Sequence, residues 1–413
     1  MKNITNMSRY SAYKDSEYQW IGNLPEKWNV QKLGSCLFPV SEKNKPNLPL
    51  LSITRELGVI ERDIADQDTN HNFIPDDLTN YKLLKKGQFG MNKMKAWQGS
   101  YGISNYTGIV SPAYFVFDLT KNIETEFFNW AIRSSLYVSY FGSASDGVRI
   151  GQWDLSKTRM KSIPFLIPPK NEQINIAHFL DQKTAQINQV IAIKQKQIER
   201  LKERQQIIIQ QAVTKGLDPN VPMKDSGIEW IGMIPEHWDI TKLKFVSTIN
   251  NGQDYKQVES DNGFPVIGSG GQFAFANSYL YDGEAVLLGR KGTIDKPLYI
   301  NGKFWTVDTM FFAICKKTIL TKYLYYCAKT IPFLYYSTAT ALPSMTQKDL
   351  LNHKIVLPLL SEQRKIINFV DQQIAIINDG IQCYQKQIEK LKEYKTTLID
   401  SAVTGKIKIA AEE

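Results

Sequence analysis

Between Glu172 and Thr214 the apolar residues fall on a heptad grid. Leu180, Ile187, Leu201 and Ile208 occupy one seam position, with Lys194 in their midst. Ile191 and Ile198 occupy the other, together with Ala177, Thr184, Gln205 and Ala212. The remaining positions are largely Gln, Lys, Glu and Arg, and no Pro or Gly interrupts the run. This pattern predicts one long helix with a coiled-coil stripe. At 1.5 Å per residue it would extend for about 60 Å, and it cannot bury its stripe alone.

A copy of the same helix follows later in the chain. Glu172-Gln173 returns as Glu362-Gln363, and Ala212-Val213-Thr214 returns as Ala402-Val403-Thr404, an offset of 362 − 172 = 190. The seam repeats as Val370, Ile377, Leu391 and Leu398, then Ile381 and Ile388, and Tyr384 stands where the first copy has Lys194. Lys194 is expected to snorkel out of the seam rather than to fix its register. A second repeat precedes each helix: DSEYQWIGNLPEKW from Asp15 and DSGIEWIGMIPEHW from Asp225, at an offset of 225 − 15 = 210. The chain is therefore a tandem duplication. Its conserved tryptophans (Trp20, Trp28, Trp230, Trp238) read as packing at the helix base.

Short apolar runs punctuated by Gly, Asn, Asp and Pro fill the two intervening blocks, as in residues 114–119, 285–289 and 310–314. They predict short strands with long loops, hence an α+β fold. The expected organisation is an arm and lead-in segment (1–28), a first block (29–170), a first helix (171–214) and a Pro-bearing linker with the second lead-in (215–238). A second block (239–358), a second helix (359–404) and a tail (405–413) follow. The blocks align at an offset of 196, Gly87 with Gly283 and Phe115 with Phe311, whereas the loops between these anchors differ.

Composition narrows the function. With 413 residues, 43% of them hydrophobic, the chain can build more than one core. A net charge of +9 leans toward a polyanionic partner. The four cysteines form no Cys-x-x-Cys pair, so neither a zinc cage nor a disulfide framework is expected. No apolar run approaches ~18 residues, so no membrane span or signal peptide is expected, and a cytoplasmic setting fits. Gly289–Thr293 and Gly268–Gly271 complete no nucleotide-binding motif, and the four histidines have no ligand or triad spacing. Asp76 and Asp181 could be paired as nuclease carboxylates, but Asp181 sits on a solvated helix face. No catalytic residue and no metal site are therefore expected.

Nucleic-acid contact is the stronger expectation. In the first block Lys93, Lys95, Trp97, Gln98, Ser100 and Tyr101 share one loop-like segment, and Arg149 and Gln152 lie in another. The second block offers Arg290, Lys291 and Thr293, then Ser344, Thr346 and Gln347. Arg and Gln can pair with base edges, while Lys, Ser and Thr suit phosphates.

Taken together, the chain resembles the specificity subunit of type I restriction–modification systems. The resemblance rests on the two lead-in segments, the Pro-x-x-x-Glu-Gln start of each helix, the QKQIE-x-LKE helix core, the stretch from Asn92 to Tyr114, and FPVIGSGG followed by LGRKGT and FWTVDT. It covers nearly the whole chain in order, with Glu17 in place of Gly227 as a departure. It implies two target recognition domains separated by two antiparallel coiled-coil helices about a pseudo-two-fold axis. They would read a bipartite, non-palindromic site in double-stranded DNA, with half-site centres roughly 34–36 Å apart. It further implies two methyltransferase subunits and two restriction subunits as partners. S-adenosylmethionine, ATP and Mg²⁺ would then be used by those partners and not bound by this chain, and adenines would be methylated after base flipping. A modification-only or phase-variable system, or a coiled-coil adaptor without a DNA role, are the alternatives.

Overall fold

The computed structural model describes residues 7–62, 74–147, 153–336 and 343–410. The chain is α+β and divides into two compact units. Met1–Ile193 and Gln387–Glu413 form the first, and Lys194–Lys386 form the second. The two long helices, Lys170–Lys215 and Leu360–Val403, each contribute residues to both units.

Each unit contains the same hairpin. Tyr13–Asp15 pairs with Asn23–Pro25 in the first, and Met223–Asp225 with Met233–Pro235 in the second. The turn in each hairpin is capped by an aspartate: Asp15 Oδ1 accepts from Glu17 N and Asp225 Oδ1 from Gly227 N, both at 2.9 Å. Both capped residues lie in the left-handed region, with φ of 66° and 63°. Glycine adopts that region freely, whereas Glu17 must hold its Cβ against the following carbonyl. The strand after the hairpin then pairs antiparallel with the strand just before the long helix, Asn29–Lys32 with Pro164–Ile167 and Asp239–Lys242 with Lys354–Leu357. This pairing clamps each globular block to its helix.

The helix start is the most conserved geometry. Gln173 and Gln363 are 1% and 0% exposed. Gln173 Oε1 accepts from Glu124 N (2.7 Å), and its Nε2 donates to Asn122 O and Pro168 O (3.2 and 2.9 Å). Gln363 repeats all three bonds with Leu320 N, Thr318 O and Pro358 O (2.8, 3.2 and 2.9 Å). The neighbouring glutamates each hold a buried indole: Trp28 Nε1 donates to Glu172 Oε2 (2.8 Å), and Trp238 Nε1 to Glu362 Oε1 (3.2 Å). The tryptophans thus pack at the helix base. Their other faces meet the end of the opposite long helix. A Cβ at Gly405 would lie 3.4 Å from Trp28 and 2.4 Å from Pro25, and one at Gly216 would lie 3.1 Å from Trp238. Since the start of one long helix and the end of the other flank the same tryptophan in each unit, the helices run antiparallel.

The helix seam is apolar as expected. Leu180, Ile187, Ile198, Ile208, Val370, Ile377, Ile388 and Leu398 are buried, and Ile191, Leu201, Ile381 and Leu391 are half-buried. Lys194 does not simply leave the seam. Its Nζ lies 5.2 Å from the ring centroid of Tyr384, its own counterpart in the duplication. Such a cation–π contact contributes about 0.5–1 kcal/mol, and the mismatched pair is thereby matched.

In the second unit the globular block is built on a seven-stranded sheet. Its central pairs are Tyr281–Gly289 with Leu298–Thr306 on one side and Met310–Cys315 on the other. The first unit has a smaller four-stranded sheet that includes Phe89–Met91 and Phe115–Leu119. Register places Leu119 opposite Leu37 and Cys315 opposite Ser247, so the strands ending at Leu119 and Cys315 keep the 196-residue offset (315 − 119) while their partners keep that of the hairpins (247 − 37 = 210). The neighbouring strand is shifted by one: Met91 faces Phe115 as Leu288 faces Phe311, an offset of 288 − 91 = 197. Gly87 and Gly283 are therefore not equivalent. Gly87 precedes its strand, while Gly283 lies within one, opposite Gly302.

Two outcomes follow for stability. Glu17→Gly should raise the unfolding free energy of the first unit, read from urea titration, by roughly 0.5–1 kcal/mol, and Gly227→Glu should lower that of the second by a similar amount. The second outcome concerns His353, which is 3% exposed, stacks on Trp230 and sits 2.8 Å from Tyr336 Oη. Burial pushes its pKa down to about 4. The unfolded chain takes up this proton near pH 6.5, so the second unit keeps full stability above that pH. It loses up to about 3 kcal/mol as pH falls toward 4. Hydrogen exchange of the strand Lys354–Leu357 across pH 7.5 to 5 should report this loss, and His353→Phe should flatten it.

Candidate nucleic-acid interface

The strand Tyr281–Gly289 ends at a crossing so close that a Cβ on Gly289 would lie 2.5 Å from Thr293 O. Beyond it Arg290 is held through its backbone. Its N–H donates to Thr309 O (2.8 Å), and its carbonyl accepts from Met345 N (3.0 Å). Gly292 N donates to Pro343 O, and Lys291 bridges to Ser344. These bonds bring Arg290 and Lys291, both exposed, beside Ser344, Thr346 and Gln347. With Asn251 and Phe311 they line a concavity of about 400 Å³. The Arg290 guanidinium lies 5.8 Å from the Phe311 ring centroid. Five of the residues expected from the sequence therefore converge, and half-buried Thr293 sits on the adjoining loop.

Two of the five have a structural duty as well. Thr346 caps the helix Gln347–Asn352 by accepting from Asp349 N (3.1 Å), and Gln347 Nε2 donates to Ile249 O (2.7 Å). Their side chains anchor the loop that carries Ser344.

The first unit builds the same corner from different side chains. Lys93 is the counterpart of Arg290 at the 197-residue offset (290 − 93), and its carbonyl accepts from Leu155 N (3.2 Å) as that of Arg290 accepts from Met345 N. Ser156 caps Lys157–Ser162 as Thr346 caps its helix. Lys93 Nζ pairs with Asp154 at 2.8 Å. Lys157 was not singled out from the sequence, yet its Nζ stands 5.5 Å from the centroid of Phe115, the equivalent of Phe311. The signal was present: at the helix offset of 190, Lys157 aligns with Gln347 (347 − 157). Burial depresses the pKa of nearby Lys82, and the positive charges of Lys43, Lys157 and Lys93 lower it further. Four lysines thus concentrate positive potential at this corner, which suits phosphate.

The other sequence expectations in the first unit divide. Lys95 is exposed, and Gln98 and Trp97 are half-buried, Trp97 lying against Trp153 at a centroid distance of 5.0 Å. Ser100 and Tyr101 are buried, at 2% and 0% exposure. Tyr101 packs between Phe89 and Phe141, and burial drives its hydroxyl pKa far upward. These two belong to the core rather than to a surface that DNA could reach, since the whole run from Gly99 to Gly102 is buried. Arg149 and Gln152 lie outside the described residues. Asp181 accepts from Trp130 Nε1 at 2.8 Å, a structural bond. Among the described residues no group of acidic, histidine or cysteine side chains could hold a metal ion, and no helix is long and apolar enough to cross a membrane.

Comparison with known proteins finds relatives that span nearly the whole chain. Residues 235–390 match the family described as "Type I restriction modification DNA specificity domain". The type I restriction enzyme MjaVIII specificity subunit of Methanocaldococcus jannaschii is 24% identical, over 96% of this chain and 97% of that one. A chain solved in work on complex assembly and conformational transition of the type I R-M system superposes with a TM-score of 0.70 at 16% identity, covering 92% of this chain and 98% of its own. The HsdS subunit from Thermoanaerobacter tengcongensis superposes at 0.54 with 17% identity, covering 95% and 100%.

The corner predicts a separation of roles by mutation. Arg290→Ala should cost about 1–3 kcal/mol of duplex DNA binding with an unchanged melting temperature. Thr346→Ala should instead lower folding stability by about 1 kcal/mol. Titrations at one fixed salt concentration, beside thermal melts, check both.

Proposed function

We infer that this chain belongs to the specificity subunits of type I restriction–modification systems and is the DNA-recognition subunit of such a complex. The observation that carries the reading is the corner built twice. Lys93 and Arg290 occupy one scaffold position, held by the same backbone bond, and present different chemistry. A duplicated scaffold with altered side chains is what two readers of different half-sites require. Arg290 suits a base edge in the major groove, and the Lys43, Lys82, Lys93 and Lys157 cluster suits the phosphate backbone.

In this reading residues 29–170 and 239–358 are the two target recognition domains. The duplication gives the two domains the same plan, and in this reading they address opposite strands. The site is then bipartite and non-palindromic, and the helices set the unread gap. The chain directs chemistry and performs none. Two methyltransferase subunits bring S-adenosylmethionine and modify one adenine in each half-site by base flipping. Two restriction subunits bring the ATP- and Mg²⁺-dependent step, and the complex works in the cytoplasm.

The test is methylome sequencing of a methylation-free host that expresses this chain with its cognate methyltransferase subunit. A new bipartite motif, with a fixed gap and one modified adenine per strand, is expected. Inserting one heptad at matching positions of both helices lengthens each by about 10 Å. The gap should grow by about three base pairs, and neither half-site should change. A variant that kept the original spacing would refute the ruler.

A further inference from the structure

The two helix bases differ in the second donor to the glutamate, which is Tyr10 in the first unit and, in the second, His237 at the position of Lys27. In the first unit the arm before the hairpin and the tail after Gly405 run side by side, tied by Lys408 N donating to Ser8 O (2.8 Å). The arm places Tyr10 edge-on to Trp28, with ring centroids 6.0 Å apart, and its hydroxyl donates to Glu172 Oε2 at 3.0 Å. In the second unit a single linker runs from Gly216 to Met223 and does the work of both segments. At the 210-residue offset the position of Tyr10 is Asn220 (220 − 10), whose N–H donates to Asp218 Oδ1 in a tight turn. No aromatic side chain is delivered, and a concavity of about 380 Å³ remains against Trp238. Leu217, Val221 and Ile366 form its apolar wall, and His237 and Glu362 line it together with the charged Lys215, Asp218 and Lys365. That volume lies within the range of ligand pockets.

The carboxylate in this concavity is poised for a donor. Glu362 Oε1 accepts from Trp238 and from His237 (2.9 Å). Among the described residues, Oε2 is met by Leu359 N at a long 3.4 Å. Burial raises the pKa of Glu362, but the hydrogen bonds from His237 and Trp238 outweigh it and hold the group ionised.

We propose that this concavity is a docking seat for a tyrosine side chain carried by a partner polypeptide of the assembled complex. The tyrosine ring lies edge-on to Trp238, and its hydroxyl donates to Glu362. The first unit shows the occupant, because there the same tryptophan and glutamate are satisfied by Tyr10 of the chain itself. Only the identity of the partner rests on the proposed function. The seat itself does not.

The experiment labels the tryptophan indoles of the full chain with ¹⁵N, assigns Trp238 through Trp238→Phe, and titrates with N-acetyl-tyrosinamide and N-acetyl-phenylalaninamide. The Trp238 signal should shift and the Trp28 signal should stay still. The phenylalanine probe, which lacks the hydroxyl donor, should bind about three- to tenfold more weakly. Leu217→Trp, a plug at an exposed rim position, should abolish the shift without changing the melting temperature. Tyr10→Ala should open the twin seat and make Trp28 respond as well. No shift at Trp238, or an equal response to both probes, overturns the tyrosine seat. In the complex with the methyltransferase subunit Trp238 should no longer respond, and a persisting response overturns the docking role while leaving the DNA-reading function intact.

Discussion

A buried side-chain amide at the foot of each long helix is the bond on which the rest depends. Gln173 and Gln363 each satisfy one backbone N–H and two carbonyls contributed by the recognition block and by the strand before the helix. With the amide removed, these groups would stay buried and unpaired, at about 1–3 kcal/mol each. The glutamate beside each glutamine fixes a tryptophan, and that tryptophan receives the glycine that ends the opposite helix. Recognition block, helix start and helix end therefore meet at one junction. The first unit is complete only with the C-terminal segment, since Leu398, Ala402, Val403 and Ile407 are part of its core.

This junction frees the corner above it to vary. In both units a strand end and a capped helix start are pinned by one backbone bond, to Lys93 or to Arg290. Backbone bonds do not depend on side-chain identity, so the corner tolerates exchange of the groups it presents. The same phenylalanine position shows the result. Phe115 receives Lys157 from the helix side, whereas Phe311 receives Arg290 from the strand side. Lysine offers a compact, hydrated charge and arginine a planar fork, so equal scaffolds present unequal surfaces.

The helices, the duplication, the apolar seam and the α+β character were all legible in the sequence. Each is a matter of periodicity or repetition, which survives without knowledge of contacts. Of the site residues, Lys95, Arg290 and Lys291 are exposed, and Lys93 is half-buried beside Asp154. The burial of Ser100 and Tyr101 was not legible, because a loop-like composition hid a buried run, Gly99 to Gly102, that leads into a short strand. Lys157 was missed because it stands far in sequence from the lysines it joins.

What the sequence determined by itself is the plan: two copies of a lead-in segment, a block and a helix, with Glu-Gln at every helix start. Hydrogen-bond register was left to the tertiary structure, and it moved one strand from an offset of 196 to 197 and so made Arg290 the counterpart of Lys93. The long-range bonds also decided that Thr346 and Gln347 hold the corner in place, and that Lys194 lies on Tyr384. Pattern follows from the chain's own periodicity, but partnership between distant side chains is fixed only when the backbone brings them within reach.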